Sequence, residues 1–160
     1  MTGHLDLRGA RPRRRTHAAR SAVALAAAAM LAVVLTGCLS NDQTQDMTLI
    51  NQARKANRAA AVSANSPAMD KAQAWSDHMA RTGVLEHTGG GTAVNPRPLT
   101  GWCKYGENVG YGPSVAAVHQ AFLNSPPHKA NMIGPYSLVG TGASWAKGYV
   151  WVTEIYLKPC

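Results

Sequence analysis

Three side chains in this sequence can act together on a ligand or a metal, provided the fold brings them close. His87 stands in Val84-Leu85-Glu86-His87-Thr88, Glu107 in Gly106-Glu107-Asn108-Val109-Gly110-Tyr111-Gly112, and His128 in Ser125-Pro126-Pro127-His128-Lys129-Ala130-Asn131. Neutral imidazoles with one carboxylate suit zinc or a similar cation that keeps an open position for water, and hydrolytic zinc sites are built the same way. The plainer alternative has Glu107 accept from backbone amides to hold a glycine-rich turn, with the two histidines as polar packing residues. Glu86 serves as a general base only if the chain turns it inward beside His87. Ser125 has no partner acid, so a triad of serine, histidine and carboxylate is unsupported. His78 and His119 read as solvated helix-surface residues, Glu154 as a polar residue of a sheet, and Asn108 and Asn131 as caps or bridges of turns beside the site.

The elements that must position these residues follow from period and punctuation. Leu49, Ile50, Ala53, Ala56 and Ala60 fall at helical spacing and predict a helix from Met47 to about Val62. Ser66-Pro67 offers an N-cap followed by proline at the first helical position. The second helix then runs to about Arg81, with Ala68, Ala72, Trp75 and Met79 on one stripe. Thr88 to Trp102 is rich in glycine, proline, asparagine and threonine and reads as a long surface loop. Its three consecutive glycines lack the Gly-Lys-Ser/Thr of a phosphate loop. Ser114 caps a third helix carrying Val115, Val118 and Phe122. Pro126 and Pro127 stop it, so that a fresh short turn presents His128. Leu138 to Trp145 and Tyr149 to Leu157 read as strands joined by a turn at Lys147-Gly148. The last strand is apolar on both faces, which calls for helices above and below the sheet.

The beginning of the chain concerns location. Six arginines between Arg8 and Arg20 precede an apolar run, Ala22 to Leu35, that is too short for a mature membrane span and reads as a signal peptide. The run ends in Leu35-Thr36-Gly37-Cys38, which resembles the bacterial lipobox, whose cysteine is acylated and becomes the first mature residue. Residues 1–37 are then the lipoprotein signal, 38–46 the lipidated cysteine and a polar tether, and 47–160 the folded domain. The whole chain carries a net charge of +8, but cleavage removes six of its sixteen basic residues and one of its eight acidic ones. That leaves +3 on 123 residues. The remaining positive charges are scattered and not interleaved with aromatics, so nucleic acid is excluded as a partner. The expected partners are the cell membrane, through lipid on Cys38, and a small lipid or envelope ligand, bound by a monomer. With Cys38 committed to lipid, Cys103 and Cys160 remain in an oxidising compartment and are expected to pair, the alternative being two unpaired thiols.

The three motifs first quoted, together with Asn51-Gln52-Ala53-Arg54 and the closing Tyr149-Val150-Trp151-Val152-Thr153-Glu154-Ile155-Tyr156, resemble the CAP superfamily of cysteine-rich secretory, antigen-five and pathogenesis-related proteins. The similarity is to its short bacterial members and spans Met47 to Leu157. The resemblance implies an α+β fold, a three-layer αβα sandwich with a small, mainly antiparallel sheet. It also implies a cleft lined by His87, Glu107 and His128, and, as in some members, zinc or another divalent cation on His87 and His128. A second glutamate of the family falls near Asn124 or Ser125 here, where no carboxylate stands. Pro127 occupies a position usually held by glycine, and Phe122 one usually held by tryptophan. Because several members of the family bind sterols or lipids, a non-enzymatic surface-anchored binding module is expected. The other reading is a metal-assisted hydrolase of peptide or cell-wall material.

Overall fold

The computed structural model describes residues 39–160; the expected signal peptide and the acylated Cys38 lie outside them. Helix α1 spans Asn41–Ala56 and so begins ahead of Met47, inside the segment read as a tether. The cause is local. Ser40 Oγ accepts from the Gln43 amide while Gln43 Oε1 accepts from the Ser40 amide, and this reciprocal capping box satisfies two amides that would otherwise lack partners. The helix also stops sooner than its apolar spacing suggests, with Arg58 in the left-handed region at φ 59°. Arg54, on the last turn, is buried and donates to four carbonyls: Ala60 (2.6 Å), Met132 (2.8 Å), Gly134 (3.0 Å) and Tyr136 (2.9 Å). One guanidinium therefore fastens the end of α1 to the turn that follows it and to the distant stretch from Met132 to Tyr136.

Strand β1 is the short pair Ser63–Ala64, and helix α2 spans Ser66–Thr82. Its N-cap is Asn65, one residue before the expected Ser66, and Gly83 ends it in the left-handed conformation. Strand β2, Trp102–Gly112, is followed by helices α3, Val115–Asn124, and α4, Pro126–Met132. Ser114 caps α3 as expected, and His128 rides on α4. Strands β3, Leu138–Ala146, and β4, Tyr149–Pro159, form the expected hairpin. Lys147 (φ 51°) and Gly148 (φ 80°) give the two left-handed residues of a tight turn whose twist matches the strands.

The sheet order is β1-β3-β4-β2, antiparallel except where β1 pairs with β3. Strand β4 is central and buried on both faces. Val150, Val152 and Tyr156 join Ile50, Val118, Phe122 and Met132 in the core beneath α1, α3 and α4. Trp151, Ile155 and Leu157 pack on the opposite side with Ala68, Ala72 and Met79 of α2. These are the three layers of the expected αβα sandwich, and the sheet is mainly antiparallel. On β3, Gly140 and Gly142 lie against the backbone of α2 at Ala68 and Ala72, so closely that a Cβ would overlap it. Among the described residues no helix is long and apolar enough to cross a membrane.

Cys103 and Cys160 form a disulfide across 57 residues. It joins the start of β2 to the residue after β4, beside the irregularity in register between Trp102 and Lys104.

Candidate functional site

Strand β2 is the element that positions Glu107, where a glycine-rich turn was expected. It pairs with β4 over its whole length, setting Glu107 opposite Ile155 and Asn108 opposite Glu154, so successive side chains point to opposite faces of the sheet. Glu107 is 4% exposed. Its Oε1 accepts from the Thr88 amide (2.9 Å) and meets His87 Nδ1 at 2.9 Å, while Oε2 accepts from Thr88 Oγ1 (2.8 Å) and Tyr105 OH (2.8 Å). Burial pushes the carboxyl up, but the bonds from His87, Thr88 and Tyr105 outweigh it and hold Glu107 below the usual glutamate range. Burial, then the charge of Glu107, push the Tyr105 hydroxyl well up.

The ionised carboxylate fixes the histidine. A carboxylate at Nδ1 sets the ring plane and turns Nε2 away from it, the same orienting arrangement that second-layer carboxylates impose on ligating histidines. His87 remains partly accessible, its side chain 22% exposed. His128 comes to the site from α4, with its ring 5.0 Å from that of Phe122. Burial, then the nearby His87, lower its pKa and favour the neutral imidazole that a metal or a hydrogen-bonded ligand requires. The asparagines brace this corner. Asn131 Nδ2 donates to the Glu107 carbonyl (3.1 Å) and to Asn108 Oδ1 (2.9 Å), and Asn108 Nδ2 donates to the His128 carbonyl (3.1 Å).

Glu86 does not turn inward. Its Oε1 meets His78 Nε2 at 3.3 Å, its Oε2 accepts from the Gly91 amide at 3.2 Å, and the His78 ring stacks on Trp75. His87 and His128 thus stand near each other in this corner, His87 held by Glu107, and the described bonds of both glutamates go to structural partners.

Two features escaped the sequence reading. The larger is a groove of about 800 Å³ between α2 and the 98–102 segment, walled by Trp75, Leu99, Trp102, Leu138 and Leu157, with Lys71 and Arg81 among its charged residues. None of His87, Glu107 or His128 lines it, so this groove is not the cleft that the motifs suggested. Trp75 stands on a helical stripe, Leu138 and Leu157 at the ends of expected strands and Leu99 in a loop, and nothing in their spacing joins them. The second feature is His119. It is buried, not solvated, and lies with Asp46 and Glu154 in a cluster under α1 and α3. Burial and their mutual charge push the Asp46 carboxyl up, and burial raises Glu154 to about 7.

The chain belongs to the CAP, or cysteine-rich secretory protein, family, whose pattern matches residues 47–156. Among solved structures it is similar to an outer surface protein of Borrelia burgdorferi, at 18% identity and TM-score 0.67, over 76% of this chain and 95% of that one. It is also similar to venom allergen-like protein 4 of Schistosoma mansoni (11% identity, TM-score 0.62, 76% of this chain and 91% of the other). A third structure, NaASP2 with Zn2+, matches at 12% identity and TM-score 0.54, over 75% and 83% of the two chains. No curated protein sequence matches the chain.

Proposed function

We propose that the protein is an exported, lipid-anchored, monomeric binding module that takes a small amphiphilic lipid in the groove beside α2. The observation that carries this reading is the groove itself, whose volume of about 800 Å³ lies in the usual range for small-molecule sites and whose walls are aromatic and aliphatic. An acyl chain matches those walls, and Lys71 and Arg81 match an acidic head group. Export is supported by the disulfide, by the arginine-rich start with its apolar run and Cys38, and by the outer-surface location in the name of the Borrelia relative. His87 and His128 then form a secondary site. If zinc binds there, His87 Nε2 and His128 hold it, and the ion supplies Lewis acidity.

Hydrolysis is the second reading, favoured by the free Nε2 of His87 and by the zinc in the NaASP2 structure. It lacks a base, since all the described bonds of Glu107 and Glu86 are turned to structure. The deciding experiment is mass spectrometry of lipids extracted from the full-length protein purified in detergent, with fluorescent fatty-acid binding as a second readout. Ala74→Trp, which fills the groove, should abolish binding, and His87→Ala with His128→Ala should leave it intact. Retention of lipid by Ala74→Trp removes the groove reading. Metal-dependent cleavage of peptide or glycan that is lost in both histidine variants establishes the hydrolase instead.

A further inference from the structure

The groove lies on the α2 side of the sheet, and the opposite side holds a group of polar atoms that neither the groove nor the His87 site uses. Asp46 comes from α1, His119 from α3 and Glu154 from the middle of β4; one donor atom from each lies within 4.8 Å of the others, and all three residues are buried. Glu154 Oε2 is satisfied, accepting from Tyr156 OH (2.7 Å) and Asn108 Nδ2 (2.8 Å). Other polar atoms of the three are not. Both carboxylate oxygens of Asp46, Oε1 of Glu154 and Nδ1 of His119 are buried without a hydrogen-bond partner among the described residues. Buried polar atoms are nearly always paired, and four unpaired ones converging from three elements need a common explanation.

A divalent cation supplies one. Two carboxylates neutralise its charge, an imidazole completes a three-donor set, and the rigid shell of Asn108 and Tyr156 orients the glutamate. The imidazole disfavours calcium and magnesium, which take oxygen donors, and suits zinc or manganese. In a tetrahedral site with bonds of about 2.0–2.2 Å the donor atoms stand about 3.3–3.6 Å apart, so donors that lie within 4.8 Å of one another close on an ion by side-chain shifts of about 1 Å. We propose that Asp46, His119 and Glu154 form a buried structural site for a divalent transition cation, zinc first, which ties α1 and α3 to the central strand. A proton shared between the two carboxyls is the rival, but it leaves His119 Nδ1 unpaired.

The test uses full-length protein in detergent carrying His87→Ala and His128→Ala, so that neither cleft histidine remains. The expected result is one equivalent of zinc per chain by elemental mass spectrometry after dialysis, a thermal midpoint lowered by chelator and restored by zinc, and binding at least about tenfold weaker on adding the near-isosteric Asp46→Asn. Should Asp46→Asn fail to fold, pulsed electron paramagnetic resonance of manganese(II) or copper(II) bound to the double variant decides, a single coordinated imidazole being expected. No bound metal, affinity unchanged in folded Asp46→Asn, or a bound ion without imidazole overturns the proposal, and a chelator-insensitive midpoint leaves the shared proton as the explanation of the cluster.

Discussion

Glu107 shows how one buried carboxylate organises a corner of the molecule. It draws together the loop after α2, through Thr88 and His87, and the strand that carries Glu107 and Tyr105. Glu107→Gln keeps the shape but places amide hydrogens against donors, so it should destabilise the domain by about 2–3 kcal/mol in urea titration at neutral pH. The native carboxyl titrates below its ordinary value of 4.5, so the folded state binds its proton less readily than the unfolded chain does. Its contribution is complete above that value and is lost as pH falls through the folded pKa, so the gap between parent and Glu107→Gln should shrink below about pH 4.5. His87, Glu107 and His128 were legible in the sequence because each sits in a short motif of unusual composition. His119 was not. On α3 it looks like any helix-flank polar residue, and its partners Asp46 and Glu154 arrive from elements 73 and 35 residues away in sequence.

At the scale of elements, caps and turns were the readable part. Ser114 and Lys147-Gly148 punctuate the chain where the structure breaks. Strand β2 was obscured because Gly106, Gly110 and Gly112 interrupt its alternation. The contacts explain the glycines, since a Cβ at Gly110 would press on Phe122 and one at Gly106 on Tyr136 and Asn131. The start of α1 was legible but unread, for Ser40 with Gln43 three residues later is a capping-box pattern. Packing between elements depends most on Gly140 and Gly142, which let α2 rest on β3 backbone to backbone. Gly140→Ala meets main chain that no rotamer change can move aside. It should therefore cost about 3 kcal/mol, the upper end of ordinary overpacking, measured as a lowered urea midpoint. An alanine at Gly148, in the open turn, has no such neighbour.

The layered architecture was foreseen from the two apolar faces of the last strand together with the family resemblance, but the groove was not, because it exists only where α2, the 98–102 segment and the ends of β3 and β4 meet. The disulfide braces that region through Cys103, next to Trp102. Reduction should lower stability by at most about 4 kcal/mol for a loop of this length. Thermal unfolding with and without reductant measures that, and lipid binding should weaken alongside if the brace shapes the groove. Of the four tryptophans in the sequence, Trp75 and Trp102 line the groove, whereas Trp145 and Trp151 lie at the far hairpin end of the sheet. The molecule thus carries a built-in optical gauge: displacement of water from two indoles by a hydrocarbon guest should shift part of the emission to the blue, while the distant pair supplies an internal reference.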